Sequence, residues 1–282
     1  MRWRGREKSS NVEDRRGSRG RVIGGTVGVG TIIFFIAYTL LTGEAPTEML
    51  QQSQPQVQQT QGEAHDNNDE LADFAKVIFK DTEDVWSKVF REQLNARYRY
   101  PKLVLYSGST PAACGMASAA TGPFYCPADE KVYVDLDFFR DLKRKFGASG
   151  DFAMAYIIAH EVGHHVQKLL GITDQMAQQR RRLSKRDYNK LSVRLELQAD
   201  YFAGVWAHHI QQMKHVLDAG DIEEAQNAAA SVGDDRLQKK YTGRVVPDAF
   251  THGTSAQRKN WFTKGFQTGD IRKGDTFNTD NL

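Results

Sequence analysis

The first long apolar run is Val22–Leu41, twenty residues without a charge. As a helix rising 1.5 Å per residue it would extend about 30 Å, the thickness of a bilayer's hydrocarbon core. The run predicts one transmembrane helix. From Gly43 to Asn68 the pattern reverses: Gln51, Gln52, Gln54, Gln56, Gln58, Gln59 and Gln61 leave almost nothing to pack, as in a linker.

Past Glu70 the apolar positions become periodic. Phe74, Val77, Ile78, Val85, Trp86, Val89, Phe90 and Leu94 recur at helical spacing, in one long helix or two short ones. Pro101 closes that region, and Lys102–Tyr106 and Lys131–Leu136 read as strands. Phe138–Phe146 reads as a short helix closed by Gly147 and Gly150. An apolar helix is expected from Asp151 to Leu170, with Gly171 as its stop. A basic connection, Arg180 to Arg186, leads to a second long helix from Tyr188 to about Met213. Asp221–Ala230 forms another helix, and Ser255 caps a last one holding Trp261, Phe262 and Phe266. The tail beyond Gly269 is polar and expected to be loose. The fold class is therefore α+β, mostly helical with a small sheet. The organisation expected is a basic tail (1–21), an anchor (22–41), a Gln-rich linker (42–68) and one domain (69–282).

Charge sharpens this picture. The chain of 282 residues has a formal net charge of +3, but residues 1–21 hold eight basic and three acidic side chains, which leaves −2 for the remainder. Basic residues before the apolar run place the N-terminus in the cytoplasm and the domain outside, periplasmic or extracellular, on a single-pass inner-membrane anchor. A cleaved signal peptide is the rival, disfavoured by the long N-terminal region and the lack of a small-x-small cleavage site. Gly24-x-x-x-Gly28 would allow self-association through the anchor. With the basic charge confined to the tail, the rest of the chain gives no reason to expect nucleic acid as partner. The two cysteines, Cys114 and Cys126, suit a disulfide in an oxidising compartment, contributing about 3 kcal/mol. The alternative is two unpaired thiols in a cytosolic protein.

The chemistry centres on His160-Glu161-Val162-Gly163-His164. Residues four apart share a helix face, so His160 and His164 can bind one metal ion. Glu161 sits where it can take a proton from a water on the metal's open side. Histidine and glutamate are costly in an apolar helix unless paired or metal-bound. Gly163 costs about 1 kcal/mol of helix stability relative to alanine, which predicts that another segment packs closely there. Catalytic zinc takes three protein ligands and keeps a position for water. The second long helix offers Glu196 as the third ligand. Asp200, four residues on, would accept from the outer N–H of a ligand histidine. The bland reading of Glu196 and Asp200 is an exposed acidic pair; Ala199, Ala203 and Gly204 instead suit a closely packed helix.

These residues resemble a family. His160–His164 followed by Glu196-Leu-Gln-Ala-Asp200 looks like the gluzincin arrangement. More closely, Met1-Arg-Trp-Arg-Gly-Arg6, Asn11-Val-Glu-Asp-Arg-Arg16, Gly122-Pro-Phe-Tyr-Cys126, His160–Gln167, Glu196–Asp200 and Thr251-His-Gly-Thr-Ser-Ala-Gln-Arg258 resemble the predicted neutral zinc metallopeptidases of bacterial membranes. The family often has cysteine after the Ala-Asp pair, where this chain has Tyr201. The resemblance implies a zincin-like metallopeptidase domain, Zn2+ held by His160, His164 and Glu196, and catalysis by Glu161, but supplies no substrate; the zinc-and-base chemistry leads us to expect protein or peptide substrates. His252, with Arg258 behind it, resembles the C-terminal His…Arg feature of related membrane-linked gluzincins and is a candidate oxyanion donor. The alternative for His252 is a loop histidine near a helix cap, with Tyr133 and Tyr156 as outside candidates. Lys131–Leu136 is either an edge strand that binds an extended peptide or a plain core strand. His165, His208 and His209 read as packing or structural residues. A non-catalytic zinc scaffold, or an amidase acting on cell-wall material, remains the alternative to a peptidase.

Overall fold

A computed structural model describes residues 1–16, 64–118, 121–139, 142 and 150–282, without the side chains of 64–68. The expected anchor Val22–Leu41, with Gly24 and Gly28, and most of the linker lie outside the described residues. So does most of the expected helix Phe138–Phe146. Among the described residues, no helix is long and apolar enough to cross a membrane.

Among the described residues, six strands and seven α-helices follow in order. They are β1 (Val12–Asp14), α1 (Ala64–Leu94), β2 (Lys102–Tyr106), β3 (Ser109–Ala112), β4 (Gly115–Ser118), β5 (Phe124–Cys126), β6 (Lys131–Asp135), α2 (Asp151–Leu169), α3 (Ile172–Arg180), α4 (Lys185–Lys214), α5 (Asp221–Ser231), α6 (Asp234–Thr242) and α7 (Ser255–Thr268). The main sheet has the order β1-β2-β6-β5, parallel except for β5 against β6, and β3 and β4 form a separate hairpin. Strand side chains alternate between faces. Leu103, Leu105, Val132 and Val134 join the helical core, while Val104, Tyr106 and Tyr133 pack on the other face with Ala117 and Cys126. Cys114 and Cys126 form a disulfide that ties the hairpin to β5.

The helix of the His-Glu-x-x-His stretch, α2, is buried for most of its length, from Phe152 to Gln167. A β-carbon added at Gly163 would lie 3.0 Å from the Ala199 carbonyl oxygen and 3.2 Å from the Ala199 Cα. The glycine thus lets α2 and α4 approach backbone to backbone. Gly204 and Gly265 do the same where α4 crosses α7: added β-carbons would collide with the carbonyls of Phe262 and Tyr201.

Several boundaries differ from the sequence expectation. Helix α1 is one helix and begins at Ala64, inside the expected linker. Strand Lys131–Asp135 is interior rather than an edge, because β5 covers its outer side. Helix α3 lies in what reads as a connection, with only Met176 buried. Helix α6 also escapes the apolar pattern, being short and largely charged. The cap of α7 is Thr254, whose capping box with Gln257 satisfies two backbone donors. The tail past Gly269 is held down: Ile271 and Thr276 are buried, and Arg194 bonds the Thr276 carbonyl and, at 2.9 Å, that of Thr279.

The largest difference is at the N-terminus. Residues 1–16, expected as a tail apart from the domain, belong to its sheet and core. Val12, Glu13 and Asp14 pair with Leu103, Val104 and Leu105. Trp3 is buried edge-on against Phe74, and its indole N–H donates to Asp151 at 3.1 Å. Ser9 and Asn11 both donate to Glu83, and Arg6 pairs with buried Asp81. Of the basic residues that suggest a solvated tail, Arg4, Arg6, Lys8 and Arg16 find carboxylates on α1. Trp3→Ala should therefore destabilise the protein by about 3 kcal/mol in a denaturant titration; a midpoint equal to wild type would show that the segment does not contribute to the core.

Candidate metal centre

Helix α2 presents His160, Glu161 and His164, and α4 presents Glu196 and Asp200 across the close contact made by Gly163. His160 Nε2 lies 3.3 Å from Glu196 Oε2, and His164 Nε2 lies 3.5 Å from Glu196 Oε1. One ligand atom from each of these three residues falls within 4.8 Å of the others. Two imidazole nitrogens and a carboxylate form a donor set suited to zinc.

The outer ring nitrogens are engaged, which orients the inner ones toward the cluster. His160 Nδ1 lies 2.8 Å from Asp200 Oδ1. A carboxylate only accepts, so Nδ1 carries the proton and Nε2 is left for a metal. His164 Nδ1 lies 2.8 Å from Gln167 Oε1. The Gln167 amide is fixed by donating to Leu195 O at 2.7 Å and to Gln198 Oε1 at 3.1 Å, so its oxygen faces the histidine. Both rings therefore present Nε2 to Glu196. The cluster fits the ion on this geometry.

Asp200 is wholly buried and would be costly without partners. Arg258 donates to both of its oxygens, at 2.7 Å from Nε and 2.9 Å from Nη2. Tyr156 donates to Oδ1 as well. Burial raises the Asp200 carboxyl, but Arg258 and His160 outweigh it and hold the group below its ordinary range. Burial likewise lowers His160, yet the charge of Asp200 and the hydrogen bonds to Asp200 and Glu196 bring it up to about 10. Glu196 follows the same logic: burial opposes its charge, and His164, His160 and His252 hold it well below the usual carboxylate range. The cluster is thus a compact set of charges in which a divalent cation would take the place of protons.

Glu161 stands beside the ligands and outside their set. Its Oε2 accepts the Tyr125 backbone N–H at 2.8 Å. Burial raises its carboxyl despite the lowering influence of His160 and His164. Tyr125 lies on β5, the edge strand that the disulfide holds through Cys126. His165 locks the same strand from below: its Nε2–H donates to Arg99 O at 2.7 Å, and its Nδ1 lies 3.0 Å from the Tyr125 hydroxyl.

His252 is in the loop before α7, half-exposed, with Nδ1 3.2 Å from Asp234 Oδ1. Of the outside candidates, Tyr156 is bound to Asp200, and Tyr133 points to the far face of the sheet and donates to Asp129 at 2.7 Å. His208 and His209 bond the carbonyls of Phe266 and Gly269, away from the cluster. Tyr201 bonds Thr268 and the Asp270 carbonyl. Three contributors escaped the residue-by-residue reading. Gln167 was visible only as one turn beyond His164, Tyr125 acts through its backbone, and Asp234 belongs to an unpredicted helix.

A family model described as "Putative neutral zinc metallopeptidase" matches residues 1–277. The chain belongs to this family. Its match includes residues 1–16 as well as the metal cluster. The chain is 51% identical over 286 residues to the uncharacterized protein YpfJ of Escherichia coli K12, covering 98% of this chain and 99% of that one. It is 46% identical over 195 residues to an uncharacterized protein of Mycobacterium tuberculosis H37Rv, covering 66% of this chain and 65% of that one. No solved structure matches. The family implies Zn2+, and the His160–His164–Glu196 cluster could bind it.

His160→Ala should abolish stoichiometric zinc in the purified protein. Asp200→Asn should weaken zinc binding by about 10- to 100-fold in a chelator competition, because the ring loses its charged orienting partner. Full zinc occupancy in His160→Ala would refute the ligand assignment.

Proposed function

We propose that the protein is a zinc metallopeptidase in which Glu161 is the general base. The observation that carries this reading is Glu161 itself, buried beside a three-residue ligand set without belonging to it. A purely structural zinc site needs no such group. The N–H of Tyr125 fixes one carboxyl oxygen beside the cluster. Zinc held there supplies Lewis-acid polarisation and a more acidic water. Glu161 takes the water's proton during attack on the peptide carbonyl and returns it to the leaving amine. His252 donates toward the oxyanion, a role supported by its half-exposed ring in the loop before α7.

Placement outside the cytoplasm is supported by the Cys114–Cys126 disulfide, since such bonds persist in oxidising compartments.

Glu161→Gln tests the reading. The variant should keep zinc and fold as wild type while cleavage of a mixed peptide library falls by about 100-fold or more. Cleavage at the wild-type rate would remove Glu161 as base, and a zinc-loaded wild type without cleavage would favour a zinc-holding scaffold.

A further inference from the structure

Asp234 is wholly buried in the first turn of α6. Its Oδ2 accepts the backbone N–H groups of Thr251 at 2.8 Å, His252 at 2.6 Å and Gly253 at 2.9 Å. Its own N–H donates to the Gly253 carbonyl at 2.8 Å. Its Oδ1 lies 3.2 Å from His252 Nδ1, which the Thr251 hydroxyl also approaches at 3.0 Å. One carboxylate thus holds both the backbone and the ring of His252. The neighbouring Asp235 extends the clamp by accepting the N–H and hydroxyl of Ser255 at 2.8 and 2.9 Å.

The clamp has a direction. A β-carbon at Gly253 would lie 3.2 Å from Val193 and 3.3 Å from Leu197, one turn before and one residue after Glu196 on α4. Gly253 also has a φ of +89°, a conformation that favours glycine. The loop is therefore seated against α4 at the level of the metal cluster, and the ring of His252 is half-open to solvent there. A carboxylate at Nδ1 requires the proton on that nitrogen, and its charge favours the doubly protonated ring, whose Nε2–H can donate.

We propose that Asp234 is a positioning residue that holds His252 as a hydrogen-bond donor facing the reaction site. The proposal rests on the peptidase reading. It is tested with Asp234→Asn, His252→Ala and the double variant of the full zinc-loaded chain, assayed on a fluorogenic peptide pool. Asp234→Asn should lower kcat by about tenfold or more with KM and zinc content unchanged. The double variant should lose no more than His252→Ala alone, because both changes remove one device. Multiplying losses, or an Asp234→Asn variant as active as wild type, would overturn the proposal. Nitrogen-15 NMR of the histidine rings gives a readout independent of turnover and of the variant's folding. The wild type should show a protected Nδ1–H resonance that disappears in His252→Ala, and its absence from wild type would overturn the dyad even if no peptide were cleaved.

The N-terminal segment carries a second inference on separate observations. Its basic residues predict the cytoplasm and the disulfide suits an oxidising compartment, yet β1 hydrogen-bonds directly to β2. The first residue is tied down as well: the Met1 amino group lies 3.3 Å from Asp221. Backbone hydrogen bonds cannot form across about 30 Å of hydrocarbon. We infer that residues 1–16 and 64–282 lie on the same side of any membrane the chain meets. A single crossing between them, which would leave the N-terminus in the cytoplasm and the domain outside, is incompatible with this sheet.

Arg4→Cys and Arg91→Cys, at side chains that are 73% and 70% exposed, report the two parts. Each variant of the full chain would be treated with a membrane-impermeant maleimide in intact and in permeabilised spheroplasts, with the unsubstituted chain as background. Both positions should be labelled in intact spheroplasts, or both only after permeabilisation. Labelling of one and protection of the other would overturn the inference.

Discussion

Everything at the centre of this protein depends on keeping polar groups satisfied inside an apolar helix. Helix α2 is buried nearly all round and still carries His160, Glu161, His164, His165 and Gln167. Each unpaired group would cost several kcal/mol away from water. The fold meets that demand with specific partners. Asp200 takes His160, Gln167 takes His164, the backbone of Tyr125 takes Glu161, and Arg99 with Tyr125 takes His165. The inward-facing Nε2 atoms of the two histidines are left to the Glu196 carboxylate, 3.3 and 3.5 Å away.

This arrangement couples distant parts of the chain. Asp200 cannot serve His160 unless its own charge is balanced, and Arg258 on α7 supplies that balance from within the core. Arg258 reaches it because Gly204 and Gly265 let α7 press against α4. On the other side, Glu161 is fixed by β5, whose edge is held by the disulfide and by the hydrogen bond from Tyr125 to His165. The helices thus set the metal ligands, while the small sheet sets the general base. The N-terminal strand closes the same sheet at its opposite edge, so the first sixteen residues are part of the frame that holds Glu161.

Much of the site was legible in the linear pattern. The four-residue spacing in His160–His164 and again in Glu196–Asp200 fixes a shared face within each helix, whatever the rest of the fold. The long helices were legible for a similar reason, since many apolar residues at helical spacing reinforce one another. Short elements were not. Strands β1, β3, β4 and β5 have three or four residues each, too few for an alternating pattern to emerge. Helix α6 is mostly charged and is held by Asp234 and by capping of the following loop rather than by a broad apolar stripe.

Local spacing by itself determined the ligand types, their pairing along each helix, and the need for close packing at Gly163, because these follow from helix geometry and the cost of burying charge. The tertiary structure alone decided which strand is the edge, which backbone N–H steadies Glu161, and which carboxylate steadies His252. It also decided that the basic N-terminal residues are not a tail, since Arg6 and Arg16 read as solvated charges until Asp81 and Asp69 of α1 are placed beside them. Those outcomes depend on contacts between residues tens to hundreds of positions apart, and no local periodicity encodes them.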